Sequence, residues 1–213
     1  LDNMLIESYV HIIALEFVKK MSLYNMESNY KLEFFDDLLS HSEKRQKRAM
    51  EKAKNFNFQK DLSYSVIVIL LKDLYGINKP TYNNINFSQE TTSKLLFAIN
   101  RTIKRHKSKL IYVDKTDRII ILYGSDKIKT TQEIRKETIL FCKSLLSDAL
   151  KEFEANELTI GIGRCYKEVE QLWKSHEQAK LIVENISKTN SSSIIHYDDL
   201  GLYRILSYDG LQN

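Results

Sequence analysis

Apolar residues recur at steps of three and four through residues 1–39, a stretch without glycine or proline. This spacing places them on one face of a single helix, roughly 57 Å long at 1.5 Å per residue. Because such a helix exceeds the width of a small domain, we expect it to project and to pair with a second copy. The predicted dimer interface contains Val10, Phe17 and Tyr24. The alternative is a helix that folds back on its own domain.

Strand and helix patterns alternate after a second, basic helix within residues 41–54, whose charges we assign to a solvated face. Residues 63–72 (SYSVIVILLK) contain an unbroken apolar run at 66–71, which predicts a central strand buried on both faces. Residues 75–87 contain glycine, proline and asparagine and are predicted to form a loop. Ser88 is the predicted N-cap of the helix that follows.

The second half of the pattern begins with a hairpin, in which Asp114-Lys115-Thr116-Asp117 joins two short strands. A capping box, Thr130 with Glu133, opens a helix that extends to about residue 153. The remaining predicted elements are strand 158–162, helix 166–186, strand 194–197 and a closing helix capped by Asp198 or Asp199. This order predicts an α+β fold, a mixed α/β sandwich with helices packed on one mixed sheet.

Composition adds few constraints. The chain has 213 residues, 43% hydrophobic and 28% charged, with a net charge of +4, as in ordinary globular domains. No apolar run approaches the ~20 residues of a membrane helix, and no secretion signal is visible, so we expect no membrane contact. Cys142 and Cys165 form neither a disulfide framework nor a metal-binding spacing, so we expect a protein of the reducing cytoplasm. Because the first residue is Leu1, we expect a fragment of a longer protein.

Two patterns are candidate ligand sites. Gly161-x-Gly163-Arg164 lies between a strand and a helix, where phosphates bind, but it lacks a third glycine and a P-loop lysine. The alternative is that these glycines relieve crowding where the strand leaves the sheet. Asp114 and Asp117 flank the hairpin tip and suit Mg²⁺, although aspartates also favour turns for local reasons.

Other motifs fall short of a catalytic site. His176-Glu177-x-x-Lys180 lacks the second histidine of a zinc-protease motif, and His176 lies on an apolar helix face. Basic stretches at 44–60 and 101–109 lack the interleaved aromatic residues that stack on nucleic-acid bases. We therefore predict no catalytic residue, no cofactor and no metal.

Several segments resemble a known family. These segments are Gly161-Ile162-Gly163-Arg164, Leu172-x-x-Ser175-x-Glu177-x-Ala179 and Tyr197-Asp198-Asp199-Leu200-Gly201-Leu202-Tyr203-Arg204-Ile205-Leu206. They resemble the GGDEF-like domain of the PucR/CdaR family of bacterial transcription regulators. Upstream, residues 34–39 (FFDDLL) resemble the helix that precedes this domain, and residues 1–26 resemble its connecting helix.

The resemblance implies a ferredoxin-like, nucleotide-cyclase fold, with residues 1–40 as a signalling helix and 41–213 as the regulatory domain. It also implies an upstream ligand-sensing domain and a downstream helix-turn-helix domain that contacts DNA. In the related enzymes a Gly-Gly-Asp/Glu-Glu-Phe signature at the hairpin tip positions metal and triphosphate. The tip at 114–117 has no glycine pair, and side chains there would hinder the approach of phosphate to the backbone.

The leading hypothesis is therefore a non-enzymatic regulatory and dimerisation module. In the alternative hypothesis, the chain is a nucleotide-binding or nucleotide-cyclising enzyme that uses Mg²⁺. The residues of that alternative are Asp114, Asp117, Gly161, Gly163 and Arg164. A nucleic-acid-binding module is the third hypothesis.

Overall fold

The computed structural model describes residues 2–70, 82–106, 109–115, 118–152, 158–186 and 193–201; at 2–8, 24, 82–92, 152 and 186 it describes the backbone alone. The helices are α1 (Asp2–Leu38), α2 (Glu43–Lys52), α3 (Tyr82–His106), α4 (Thr131–Glu152) and α5 (Leu172–Ile186). The strands are β1 (Leu62–Leu70), β2 (Lys109–Asp114), β3 (Arg118–Asp126), β4 (Thr159–Ile162) and β5 (Ser193–His196). Short 3₁₀ turns occupy Ala53–Phe56, Val169–Gln171 and Tyr197–Asp199.

The strands form one mixed sheet in the order β2-β3-β1-β4-β5. Strand β1 is central and antiparallel to both β3 and β4, whereas β5 runs parallel to β4. All nine residues of β1 are buried. The predicted α+β sandwich and the predicted central strand are both confirmed.

Two helical layers explain why β1 is apolar on both faces. Val66 and Val68 belong to a core cluster shared with α1, α2 and α5. Ile67 and Ile69 point the other way, into a cluster shared with α3 and α4. Alternate residues of a strand face opposite sides of a sheet, so helices on both sides require an uninterrupted apolar run.

The last turns of α1 are part of this core. Phe34, Phe35 and Leu38 are almost completely buried in the cluster under β1. Burying side chains of this size contributes about 1.5–3 kcal/mol each. Helix α1 is therefore anchored at its C-terminal end.

A buried carboxylate joins the two helices on the opposite face. Asp148 of α4 accepts a hydrogen bond from Thr102 Oγ1 of α3 at 2.8 Å, and Arg105 Nη2 lies 2.9 Å from the same carboxylate. Burial alone would raise the pKa of Asp148, but the hydrogen bonds from Arg105 and Thr102 outweigh it and lower the pKa. The ionised carboxylate thus holds α3 against α4.

Two predicted helix starts are wrong. Helix α3 begins at Tyr82, inside the predicted loop, whose residues 75–81 lie outside the described residues. Ser88 therefore lies within the helix and is not its N-cap. Asparagine is only mildly unfavourable inside helices, which is why a turn-like composition did not stop this one. Helix α5 begins at Leu172, because Tyr166 instead pairs with Tyr64 through two backbone hydrogen bonds of 2.9 Å.

The predicted aspartate cap is also wrong. The chain turns after β5 at His196, whose Nδ1 accepts a hydrogen bond from the backbone N–H of Asp198 at 3.2 Å. The carboxylates of Asp198 and Asp199 pair with arginines instead. A side chain that precedes the acidic pair therefore caps this turn. The extent of the closing helix beyond residue 201 lies outside the described residues.

Candidate functional site

The N-terminal part of α1 projects from the domain with its apolar side chains in solvent. Val10 is 57% exposed and Phe17 is 64% exposed, while the side chain of Tyr24 lies outside the described residues. The other large apolar side chains described between residues 9 and 26 are also about half exposed or more: Tyr9, Ile12, Ile13, Leu15, Val18, Met21, Leu23 and Met26. Among the residues that the structure describes, none covers this part of α1, so the helix does not fold back on the described part of its own domain.

The exposed stripe continues the face by which α1 enters the core. Phe17 precedes the buried Phe35 by about five helical turns, so both side chains leave the helix in the same direction. Leu15 lies about 160° around the helix from Phe17, at 100° per residue, and is also exposed. Because α1 is apolar on two sides, it exposes more apolar surface than a helix with a single narrow apolar stripe.

Ion pairs fix the base of α1. Asp37 is buried, and its carboxylate lies 2.7 Å from Arg45 Nε and 3.8 Å from Arg48 Nη1, both on α2. The neighbouring Asp36 accepts a hydrogen bond from Lys115 Nζ at 2.6 Å. The basic helix α2 is therefore only partly a solvated face, since two of its arginines turn toward α1.

The hairpin between β2 and β3 contacts two helices. Lys115 and Arg118 exchange backbone hydrogen bonds of 2.8 and 3.3 Å, which closes the turn. Lys115 reaches Asp36 of α1, and Arg118 Nη1 lies 3.4 Å from Glu184 of α5. Asp114 ends β2, and Asp117 lies outside the described residues. Among the described residues, no three histidine, cysteine or acidic side chains come together as a metal site.

The glycines of the candidate phosphate site face helix α5. A side chain at Gly161 would meet the carbonyl oxygen of Ala179, and one at Gly163 would meet the carbonyl oxygen of Ser175. The backbone N–H of Gly163 donates to Val66 O at 2.9 Å. These glycines allow α5 to approach β4 closely, which supports the crowding interpretation.

Arg164, the third member of that motif, is also engaged within the chain. Its backbone N–H donates to Gln178 Oε1 at 2.9 Å, and its Nε donates to Asp198 at 2.6 Å. The hydrogen bond with Asp198 raises the pKa of Arg164. The guanidinium also lies over the ring of Tyr197. Arg164 therefore ties β4 and α5 to the turn after β5.

A family model described as a GGDEF-like domain matches residues 41–184, more than half of the chain. The chain belongs to the GGDEF-like domain family. No curated protein matches the sequence. Among the described helices of the chain, none has the length and apolarity needed to cross a membrane.

The structure also describes the contacts of His176 and Asp199, two further residues considered in the sequence analysis. His176 is a boundary residue with a side chain 17% exposed, and burial together with Lys115 and Lys180 lowers its pKa to about 4. Asp199 pairs with Arg135 of α4 at 2.5 Å. The turn after β5 is thus held from both α4 and the β4–α5 connection.

The contacts at the base of α1 were not predicted as functional. The sequence shows Asp36 and Asp37 only as an acidic pair on a helix, where neighbours point in different directions. Their partners, Lys115 and Arg45, come from separate elements. The sequence did contain one indication of these contacts. A basic helix follows an acidic pair, and opposite charges on two consecutive helices favour ion pairs between them.

Proposed function

We propose that this GGDEF-like domain is a non-enzymatic regulatory and dimerisation module of a bacterial transcription regulator of the PucR/CdaR kind. In this proposal it acts in the cytoplasm, between an upstream domain that binds a small-molecule effector and a downstream helix-turn-helix domain that binds DNA. The segment Tyr197-Asp198-Asp199-Leu200-Gly201, similar to that family, supports the assignment.

The exposed apolar surface of α1 carries the proposal. A helix with Val10, Phe17 and its neighbours in solvent gains free energy when a second helix covers them, by about 25 cal/mol per Å² of apolar surface removed from water. The same helix is anchored in the core at Phe34 and Phe35. A change in how two α1 helices pack would therefore be transmitted to the core of the domain.

A series of contacts offers a route from α1 to the end of the domain. Asp36 of α1 contacts the hairpin at Lys115, and the hairpin contacts α5 through Arg118 and Glu184. Gln178, which precedes Glu184 on α5, accepts a hydrogen bond from the backbone N–H of Arg164. Arg164 in turn pairs with Asp198. We propose this series as the path by which a shift in α1 reaches the segment that follows β5.

The surroundings of the hairpin favour a module without cyclase activity. The tip has no glycine, and Lys115 and Arg118 are both paired with carboxylates of other elements. The glycines on β4 and after it are covered by α5. In this proposal these groups stabilise the domain instead of holding a triphosphate.

Replacing Phe17 by aspartate tests the proposal. We expect Phe17→Asp to convert a dimer into a monomer in sedimentation equilibrium, because a charge cannot be buried in an apolar helix pair without a partner. Phe97→Asp is the matched control, since Phe97 is a similarly exposed phenylalanine (58%) on α3. If both variants sediment like the unmodified dimer, α1 does not form the interface.

A further inference from the structure

A groove lies at the base of α1, beside the edge of the sheet. Its volume is about 670 Å³, within the ~300–1,000 Å³ range of small-molecule sites. Its walls come from α1, from the 3₁₀ turn after α2 and from β2. Residues from each wall include Tyr30, Lys31, Phe56, Asn57 and Tyr112. Among the described strands, β2 lies at the edge of the sheet and pairs with β3 alone.

Lys31 is the unusual residue of this groove. Among the residues that the structure describes, its ammonium has no hydrogen-bond or ion-pair partner and lies 4.5 Å from the centre of the Tyr112 ring. Burial lowers the pKa of Lys31, although the charge of Asp114 acts in the opposite direction. A partly desolvated ammonium has three donors to satisfy, so an anion placed here gains a charge-assisted hydrogen bond.

The rest of the lining mixes aromatic, aliphatic and amide side chains, with one other cation and one anion. Tyr30 is exposed on α1, and Phe56 stacks on Phe34 of the core at 4.5 Å. The other cation of the groove, Lys52, already pairs with Glu33 at 3.2 Å. Glu27 also lines the groove and opposes additional negative charge. One unpaired cation beside aromatic rings suits a single negative charge on an apolar body and disfavours a triphosphate.

We propose that this groove binds a small organic monocarboxylate, with Lys31 holding the carboxylate and Tyr30 and Phe56 covering an aromatic or aliphatic body. Such a ligand would bridge α1 to the sheet edge. A ligand that binds one orientation of α1 better than another shifts the population toward that orientation. The GGDEF-like domain would then sense an effector itself, in addition to any upstream sensor.

Binding is tested on the unmodified 213-residue chain with benzoate, phenylacetate and hexanoate as probes. We expect at least one probe to shift the ¹⁵N–¹H signals of Asn55, Asn57 and residues 110–112 saturably in NMR titrations. Phenylacetamide, which has the same ring without the charge, should bind about tenfold more weakly than phenylacetate or not at all. This comparison requires no substitution and therefore no assumption about folding.

Lys31→Met removes the ammonium and keeps an unbranched side chain only one heavy atom shorter. We expect it to weaken carboxylate binding about tenfold or more, while Lys47→Met leaves it unchanged, because Lys47 is 79% exposed on α2 and outside the groove. The proposal is overturned if none of the three carboxylates shifts these signals. It is also overturned if phenylacetamide binds as well as phenylacetate, or if a folded Lys31→Met variant binds like the unmodified chain.

Discussion

Replacing Gly163 by alanine distinguishes a packing glycine from a phosphate-binding one. The added methyl would lie 2.5 Å from Ser175 Oγ and 2.7 Å from the Ser175 carbonyl carbon, so α5 must move away from the sheet. Ser175 Oγ also accepts the buried backbone N–H of Val66 at 2.8 Å. The substitution therefore adds crowding and removes a buried hydrogen bond at once.

Crowding of this kind costs about 1–3 kcal/mol, and a buried N–H without an acceptor costs about 1–3 kcal/mol. Since partial relaxation lowers the sum, we expect Gly163→Ala to reduce the free energy of unfolding by about 3 kcal/mol. A chain of this length loses about 2–4 °C in melting temperature per kcal/mol, which gives about 6–12 °C.

The assay is thermal and urea unfolding followed by circular dichroism, with Gly201→Ala as the control. A side chain at Gly201 meets nothing within 4 Å, so that variant should unfold within about 1 kcal/mol of the unmodified chain. A Gly163→Ala protein as stable as Gly201→Ala would refute the close approach of α5 to this glycine. Lost nucleotide binding without lost stability would instead identify Gly163 as part of a phosphate site.

Two further predictions concern the α3–α4 contact and the absence of catalysis. Asp148→Asn should lower the free energy of unfolding by about 2 kcal/mol at neutral pH, less than for a fully buried pair because Arg105 is half exposed. The control variant, Lys151→Met, should change the free energy of unfolding little, since Lys151 is exposed. Because folding lowers the pKa of Asp148, the stability contributed by its carboxylate is fully present above about pH 4 and is lost as the pH falls through the lowered pKa. The difference between Asp148→Asn and the unmodified chain should therefore shrink as the pH falls from about 4, and a constant difference in urea titrations would contradict this. Incubation with Mg²⁺ and each ribonucleoside triphosphate should give no cyclic product on chromatography, whereas a product abolished by Asp117→Ala would show an active cyclase.

Much of the fold followed from local pattern. The uninterrupted apolar run of β1 required cover on both faces, and α1, α5 on one side and α3, α4 on the other provide it. The capping box formed as expected: the Thr130 N–H donates to Glu133 at 2.8 Å, and the Glu133 N–H donates back to Thr130 Oγ1 at 3.3 Å. The capping box depends on residues close in sequence, and the apolar run of β1 follows from burial on both faces of the sheet.

The misjudged features depend on contacts between distant segments. Tyr166 is extended because it pairs with Tyr64, which no local pattern around residue 166 indicates. Asp37 is buried because α2 folds back and supplies Arg45. The groove beside Lys31 exists because α1 crosses the edge of β2, nearly eighty residues later in the chain. Tertiary packing decides each of these positions, and local propensity carries no information about it.

The molar mass of the unmodified chain in solution is the most direct test of whether α1 pairs two copies. Light scattering over a range of protein concentrations should give a mass that approaches twice 25.0 kDa, because pairing with a second helix would cover the exposed apolar side chains of residues 9–26. A mass of 25.0 kDa at every concentration, with these side chains still accessible to solvent, would contradict the proposed dimer and the signalling role built on it.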